Sequence, residues 1–160
     1  DLPWNFDQTL AKVYELEAQI LAQGVNLKKG AKNLLTYLQK EGVPIALATS
    51  SVESRARMIL DSNGILSLFD HLVFAKDVKR SKPYPDIFLK ACSDLNVLPE
   101  NCLVLEDSEA GIEAASRAGI PVICIPDLKI PAQSFLNKTE QVFQDLDAVR
   151  DYLESKKEVF

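Results

Sequence analysis

The sequence predicts a three-layer, doubly wound α/β fold in which a parallel sheet lies between helices. Three observations predict it. From Val43 onward, short apolar runs rich in strand formers alternate with segments of helical period. Those runs are continuous rather than alternating, as expected of strands covered on both faces. The intervening helical segments are long enough to act as right-handed crossovers between parallel strands. Composition agrees: 47% hydrophobic and 26% charged residues in a chain of 160 suit one globular core and disfavour disorder or a coiled coil.

The elements follow in order. Residues 5–22, "NFDQTLAKVYELEAQILA", place Leu10, Val13, Tyr14, Leu16 and Ile20 at helical spacing, with Gly24 as the stop. "GAKNLLTYLQKEG" is a second helix, between Gly30 and Gly42, with Leu34, Leu35 and Leu38 on its apolar face. The period then changes, and "VPIALATS" reads as the first strand. After it come a helix in "ESRARMILDSNG", a strand in "HLVFA", a helix in "DIFLKACSDLN", a strand in "CLVLED", a helix in "SEAGIEAASRAG" and a strand in "PVICIP". A last helix occupies "LDAVRDYLESKK". The composition shifts at "GVNLKKG", residues 24–30, so the expected boundary separates an all-helical unit over 1–26 from an α/β unit over 27–160.

Eighteen basic against twenty-three acidic residues give a net charge of −5, which argues against nucleic acid as the main partner. No run approaches the length of a membrane span, and no basic-then-apolar leader is visible, so a cytoplasmic chain without membrane contact is expected. Cys92, Cys102 and Cys124 are widely spaced in apolar surroundings without a CxxC pair, and are read as buried, reduced thiols. The single histidine, His71, opens a strand and cannot build a zinc cluster or serve a nucleophile elbow that the sequence lacks.

Ligands of open parallel sheets bind beyond the C-terminal ends of the strands. Three sets of polar residues fall there. Thr49, Ser50 and Ser51 end the first strand, where hydroxyls and free N–H groups could cradle a phosphate or a serine could simply cap the next helix. Lys82, in "RSKPYPDIF", sits between Ser81 and Pro83 in a turn stiffened by Pro83 and Pro85, and could place a point charge on a phosphate or beside a reacting carboxylate. Glu106 and Asp107 end the third strand. Adjacent carboxylates there repel each other unless a cation or donors compensate, which suits a hard divalent ion such as Mg²⁺, or one acid capping the helix that starts near Ser108.

Taken jointly, "IALATSS", "SKPYPDIF" and "LVLEDSEAGIEAA" resemble, in order and spacing, the second, third and fourth motifs of the haloacid dehalogenase-like superfamily, in its β-phosphoglucomutase-like phosphatase branch. The resemblance covers roughly residues 25–155 and implies a Rossmann-like core, with the opening helix as the C-terminal helix of a helical cap. It also implies a small phosphorylated metabolite as substrate. Thr49 would donate its hydroxyl and Ser50 its backbone N–H to the phosphoryl group, Lys82 would bridge phosphate and nucleophile, Asp107 would bind Mg²⁺, and Glu106 would support the metal. The chemistry implied is attack by an aspartate on phosphorus, giving an aspartyl-phosphate that water or a sugar hydroxyl resolves.

The family's first motif, a strand ending in Asp-x-Asp that supplies the nucleophile, has no counterpart in the sequence. Asp145-Leu146-Asp147 runs straight into helical sequence and reads as a helix cap, and Asp1-Leu2-Pro3 has no strand before it. The first strand of such a fold lies mid-sheet, so its absence would leave two strands without their shared neighbour. The expectation is therefore a segment of a longer enzyme, inactive alone. The alternative is a non-catalytic phosphate-binding scaffold. Metal-free dehalogenase chemistry is disfavoured by the paired acids, a phosphonate hydrolase would need a cap lysine outside these residues, and a phosphorelay receiver would carry its acids before the lysine.

Overall fold

The structure is a computed structural model that describes residues 5–22 and 24–157, so the Asp1-Leu2-Pro3 stretch lies outside the described residues. Helix α1 (Phe6–Ala22) starts where Asn5 Oδ1 accepts from the backbone N–H groups of Asp7 and Gln8, at 3.0 and 3.3 Å. Its expected apolar stripe stands open: Val13, Tyr14, Leu16 and Ile20 are all exposed, Ile20 at 63%. Among the described side chains, α1 is held to the rest by the Glu17–Arg55 ion pair, at 2.5 Å.

The α/β alternation follows as α2 (Ala31–Lys40), β1 (Ala46–Thr49), α3 (Glu53–Ser62), β2 (His71–Phe74), α4 (Asp86–Leu95), β3 (Val104–Glu106), α5 (Glu109–Ala118), β4 (Val122–Cys124), α6 (Gln133–Leu136), β5 (Gln141–Val142) and α7 (Leu146–Lys157). The first strand is shorter than "VPIALATS". Val43 and Pro44 are exposed, and the Val43 N–H closes the end of α2 on the Leu38 carbonyl rather than entering a ladder.

All pairings are parallel, yet the strands form two sheets. β1 pairs with β2, Ala46 opposite His71 through Thr49 opposite Phe74. β3, β4 and β5 form the other sheet in that order, with Val104 opposite Val122 and Ile123 opposite Gln141. Among the described residues no ladder joins β1 to β3.

Helices cover both faces and hold the half-sheets together. α4 packs on β1, β2 and α5, while α5 packs on β3 and β4, so one helical layer spans the gap. Under it lies the larger core cluster, in which Val73, Ile87, Ile112 and Val122 are essentially inaccessible. Each such side chain contributes about 1.5–3 kcal/mol by leaving water. On the other face, α2 packs against α7 over Leu34, Ile123, Ile125 and Val149. Successive strand residues alternate between the layers, Val122 and Cys124 to the first and Ile123 and Ile125 to the second, as the two-residue period of a strand requires.

Gly30 sets how the second layer closes. It caps α2 at φ 81°, and a Cβ there would run into the backbone where α7 begins, at Leu146 and Asp147. The Leu146 N–H donates to the Lys29 carbonyl at 3.0 Å, and Lys29 pairs with Asp145 at 2.7 Å. Asp145 also caps α7 by accepting from the Ala148 N–H at 2.9 Å, and Asp147 accepts from the Asn33 amide at 2.8 Å. Asp145-Leu146-Asp147 is thus a helix start, both carboxylates engaged there.

Candidate active site

The three sets of polar residues at the strand ends meet around one cleft. β1 and β3 form its walls, and it encloses about 1390 Å³ lined by, among others, Ala46, Ala48, Val104, Leu105, Lys82 and Glu106. Its walls are largely apolar, and Thr49, Ser50, Ser51, Lys82, Glu106 and Asp107 line it at the C-terminal ends of β1 and β3, while Glu41, Glu100 and Asn101 line it at the opposite ends.

Thr49 is the last residue of β1, half-buried, and its Oγ1 accepts from the Ser51 N–H at 3.1 Å. Ser50 and Ser51 are exposed in the turn that follows. Neither serine caps α3. The turn runs on to Val52, which takes the N-cap position with extended backbone and no side-chain hydrogen bond, so the hydroxyls stand outside the capping geometry.

Lys82 reaches into the cleft from the turn before α4. Its ammonium donates to the Ala48 carbonyl on β1 at 3.2 Å, pairs with Glu106 Oε1 on β3, and stands 4.7 Å from the centre of the Phe88 ring. One lysine therefore touches both half-sheets. The pair is shielded, the Lys82 and Glu106 side chains being 12% and 8% exposed. Desolvation offsets much of what such a shielded pair gains, but removing one partner leaves an uncompensated buried charge and is costly.

Glu106 is gripped on its other oxygen as well. Oε2 accepts from the N–H groups of Asp107 and Ser108, at 3.2 and 3.3 Å, and from the Ser108 hydroxyl at 3.0 Å. Ser108 is in turn the N-cap of α5, accepting from the Gly111 N–H at 3.0 Å. Helix capping thus falls to Ser108, and neither acid takes that role. Asp107 is exposed at the rim. The charge of the two acids reaches Cys124 at the end of β4, whose thiol is pushed up first by burial and then by Asp107 and Glu106.

The donor chemistry of Asp107 and Glu106 suits a hard cation, but Glu106 is already neutralised by Lys82. Among the described residues no three acids, histidines or cysteines converge. The site offers part of an oxygen shell for Mg²⁺, not a complete one.

Sequence reasoning missed three residues of this site. Ser108 is the second grip on Glu106, Phe88 lies beneath the lysine, and Gly111 packs against the Glu106 carboxylate. A serine directly before a helical run, at Ser108, was a visible capping signal, and Phe88 and Gly111 lie within "SKPYPDIF" and "LVLEDSEAGIEAA" without having been singled out there. The cysteine reading needs a correction: Cys92 and Cys124 are buried, but Cys102 is only partly so, because it precedes β3 at the edge of the cleft. Among the described residues no helix is long and apolar enough to cross a membrane.

The chain is similar to several phosphatases. It is 34% identical over 158 residues to a probable pseudouridine-5'-phosphatase of Drosophila melanogaster, a match spanning 95% of this chain and 66% of that protein. It is 35% identical over 109 residues to a phosphorylated carbohydrates phosphatase of Thermotoga maritima, covering 68% of this chain and 50% of that protein. In three dimensions it superposes on a putative β-phosphoglucomutase of Thermotoga maritima with a TM-score of 0.87 at 25% identity, over 97% of this chain and 72% of the other. It thus spans under two-thirds of the length of these curated relatives. Residues 2–125 match the haloacid dehalogenase-like hydrolases as a group, and with strands, lysine and acids in that order the chain belongs to this family.

Proposed function

We propose that this chain is the core of a Mg²⁺-dependent phosphatase or phosphomutase that acts on a small phosphorylated metabolite through an aspartyl-phosphate. The observation that carries the reading is convergence: Thr49, Lys82 and the adjacent pair Glu106 and Asp107 come from three separate segments to one end of one cleft. The phosphatase names of the relatives support it.

In this reading the Thr49 hydroxyl, oriented by the Ser51 N–H, and the Ser50 N–H hold the phosphoryl oxygens, helped by the N-terminus of α3. Lys82, fixed by Ala48 and Glu106, directs its charge toward the same oxygens. Asp107, with Glu106 behind it, supplies ligands for Mg²⁺. When bound, the metal would offset charge on the transferring group. The nucleophile is an aspartate outside these residues, on a strand seated between β1 and β3, where its carboxylate would reach the end of the cleft that Lys82 occupies.

The test is hydrolysis of a general aryl phosphate by this chain and by the longer protein, each purified free of host enzymes. The chain alone is expected to be inert, and the longer protein to turn over only with Mg²⁺. Turnover by the chain alone would overturn the assignment of the nucleophile. The second reading, a phosphate-binding scaffold, is favoured by the presence of cradle and lysine among these residues without a nucleophile. It requires that the longer protein also be inert while still binding inorganic phosphate.

A further inference from the structure

Glycine inside a helix is unfavourable by about 0.5–1 kcal/mol relative to alanine, so a helical glycine needs a reason. Gly111, in the first turn of α5, is buried and makes no use of a positive φ. The three nearest heavy atoms that a Cβ would meet are the carboxyl carbon and both oxygens of Glu106, all within overlap distance. The room left by the missing methyl is thus filled by one carboxylate. That carboxylate carries the Lys82 ammonium on one oxygen and the Ser108 hydroxyl on the other. Ser108 is itself held by the Gly111 N–H. The contacts form a closed circuit in which the bare first turn of α5 fixes Glu106, and Glu106 fixes Lys82.

We propose that Gly111 is a positioning residue of the site: by leaving α5 without a side chain there, it seats the Glu106 carboxylate against the helix start and so sets where the Lys82 ammonium stands. The proposal rests on the reading of Lys82 as the phosphate-directed cation, but it concerns the seat rather than the reaction. The seat also suits the length of the side chain at position 106. A glutamate reaches from the end of β3 to both the α5 start and the lysine, and an aspartate at position 106 would be one methylene short of that span.

A size-compensation experiment tests it. Gly111→Ala should lower the melting temperature of the chain, against the helix preference for alanine. In the Glu106→Ala background, where no carboxylate fills the space, the same substitution should raise it. A fall of similar size in both backgrounds would overturn the proposal, because it would mean the methyl clashes with something other than Glu106.

The second readout is acylation of individual lysines by a succinimidyl ester, mapped by peptide mass spectrometry, which needs neither turnover nor a sharp melt. Gly111→Ala should speed modification of Lys82 by at least about tenfold, the lower end of what one charge-assisted hydrogen bond is worth. Lys28, also part-buried and donating to the Pro126 carbonyl at 2.8 Å, should be unchanged. Unchanged labelling of Lys82, or equal acceleration at both lysines, would reduce Gly111 to a packing residue. Because neither readout requires phosphatase activity, this proposal and the functional reading can fail separately.

Discussion

Lys82 and Glu106 form the best shielded ion pair among the described residues, and they set what single substitutions should do. Lys82→Met removes the cation and leaves a buried carboxylate with only neutral donors. The expected loss is about 3 kcal/mol, seen as a lower urea midpoint at unchanged slope. Glu106→Gln keeps the carbonyl that accepts from Ser108 and should cost less. A second residue-scale expectation concerns Cys92, whose thiol is pushed up to about 12 by burial first and by the neighbouring Cys102 thiol, 3.4 Å away, second. Its folded pKa lies above the value of 9.0 for a free thiol, so the folded form holds its proton longer. The contribution is full below pH 9 and lost as pH rises toward 12. Stability measured across that window should fall more steeply for the native chain than for Cys92→Ala, and alkylation at neutral pH should modify Cys102 before Cys92. Equal slopes in the two proteins would remove burial of Cys92 as the cause.

At the scale of elements, the contact between α2 and α7 depends on one bare backbone position. Gly30→Ala combines a left-handed φ with a Cβ driven into the start of α7, and should destabilise by about 2 kcal/mol or more, read from thermal or urea unfolding. Asp145→Ala removes the cap of α7 and should cost about 1 kcal/mol. Elements of this kind were largely legible in the sequence, because helices of ten or more residues repeat their period often enough to be read. The predicted last helix coincides with α7, and "DIFLKACSDLN" with α4 to within a residue. What stayed hidden was too short to carry a period: α6 has four residues, and β5 has two, both exposed. Candidate residues at strand ends could be singled out from topology alone, since Thr49, Lys82, Glu106 and Asp107 all lie where a parallel sheet presents its loops. Their mutual arrangement was not, because the Lys82–Glu106 contact joins residues 24 apart through a shared third dimension. The stripe on α1 shows the opposite failure, a clear pattern whose partner is not among the described residues.

For the whole molecule the governing fact is the division of the sheet. β1 and β3 flank one cleft, each paired on its far side only among the described residues, and the walls between them are mostly apolar. Two such edges are templates for further strands, and a chain that presents them should self-associate at concentrations where a closed sheet would not. The same geometry makes the cleft a receptor for one extended segment running parallel to both walls. If a strand of the kind that the proposed function calls for is supplied as a separate peptide ending in the proposed nucleophilic aspartate, its ladder bonds on two sides and its apolar side chains under α4 should favour the folded state by mass action. At a peptide concentration a hundred times its dissociation constant the gain is ~2.7 kcal/mol, or roughly 5–10 °C in melting temperature for a domain of this size. A peptide of the same composition in scrambled order should give no shift. A rise in melting temperature with Mg²⁺-dependent turnover would identify the cleft as the seat of the missing nucleophile. A rise without turnover would keep the seat and leave the chemistry to the scaffold reading. No rise with either peptide would mean that the half-sheets close on each other in solution, and the division of the sheet would then not describe the isolated chain.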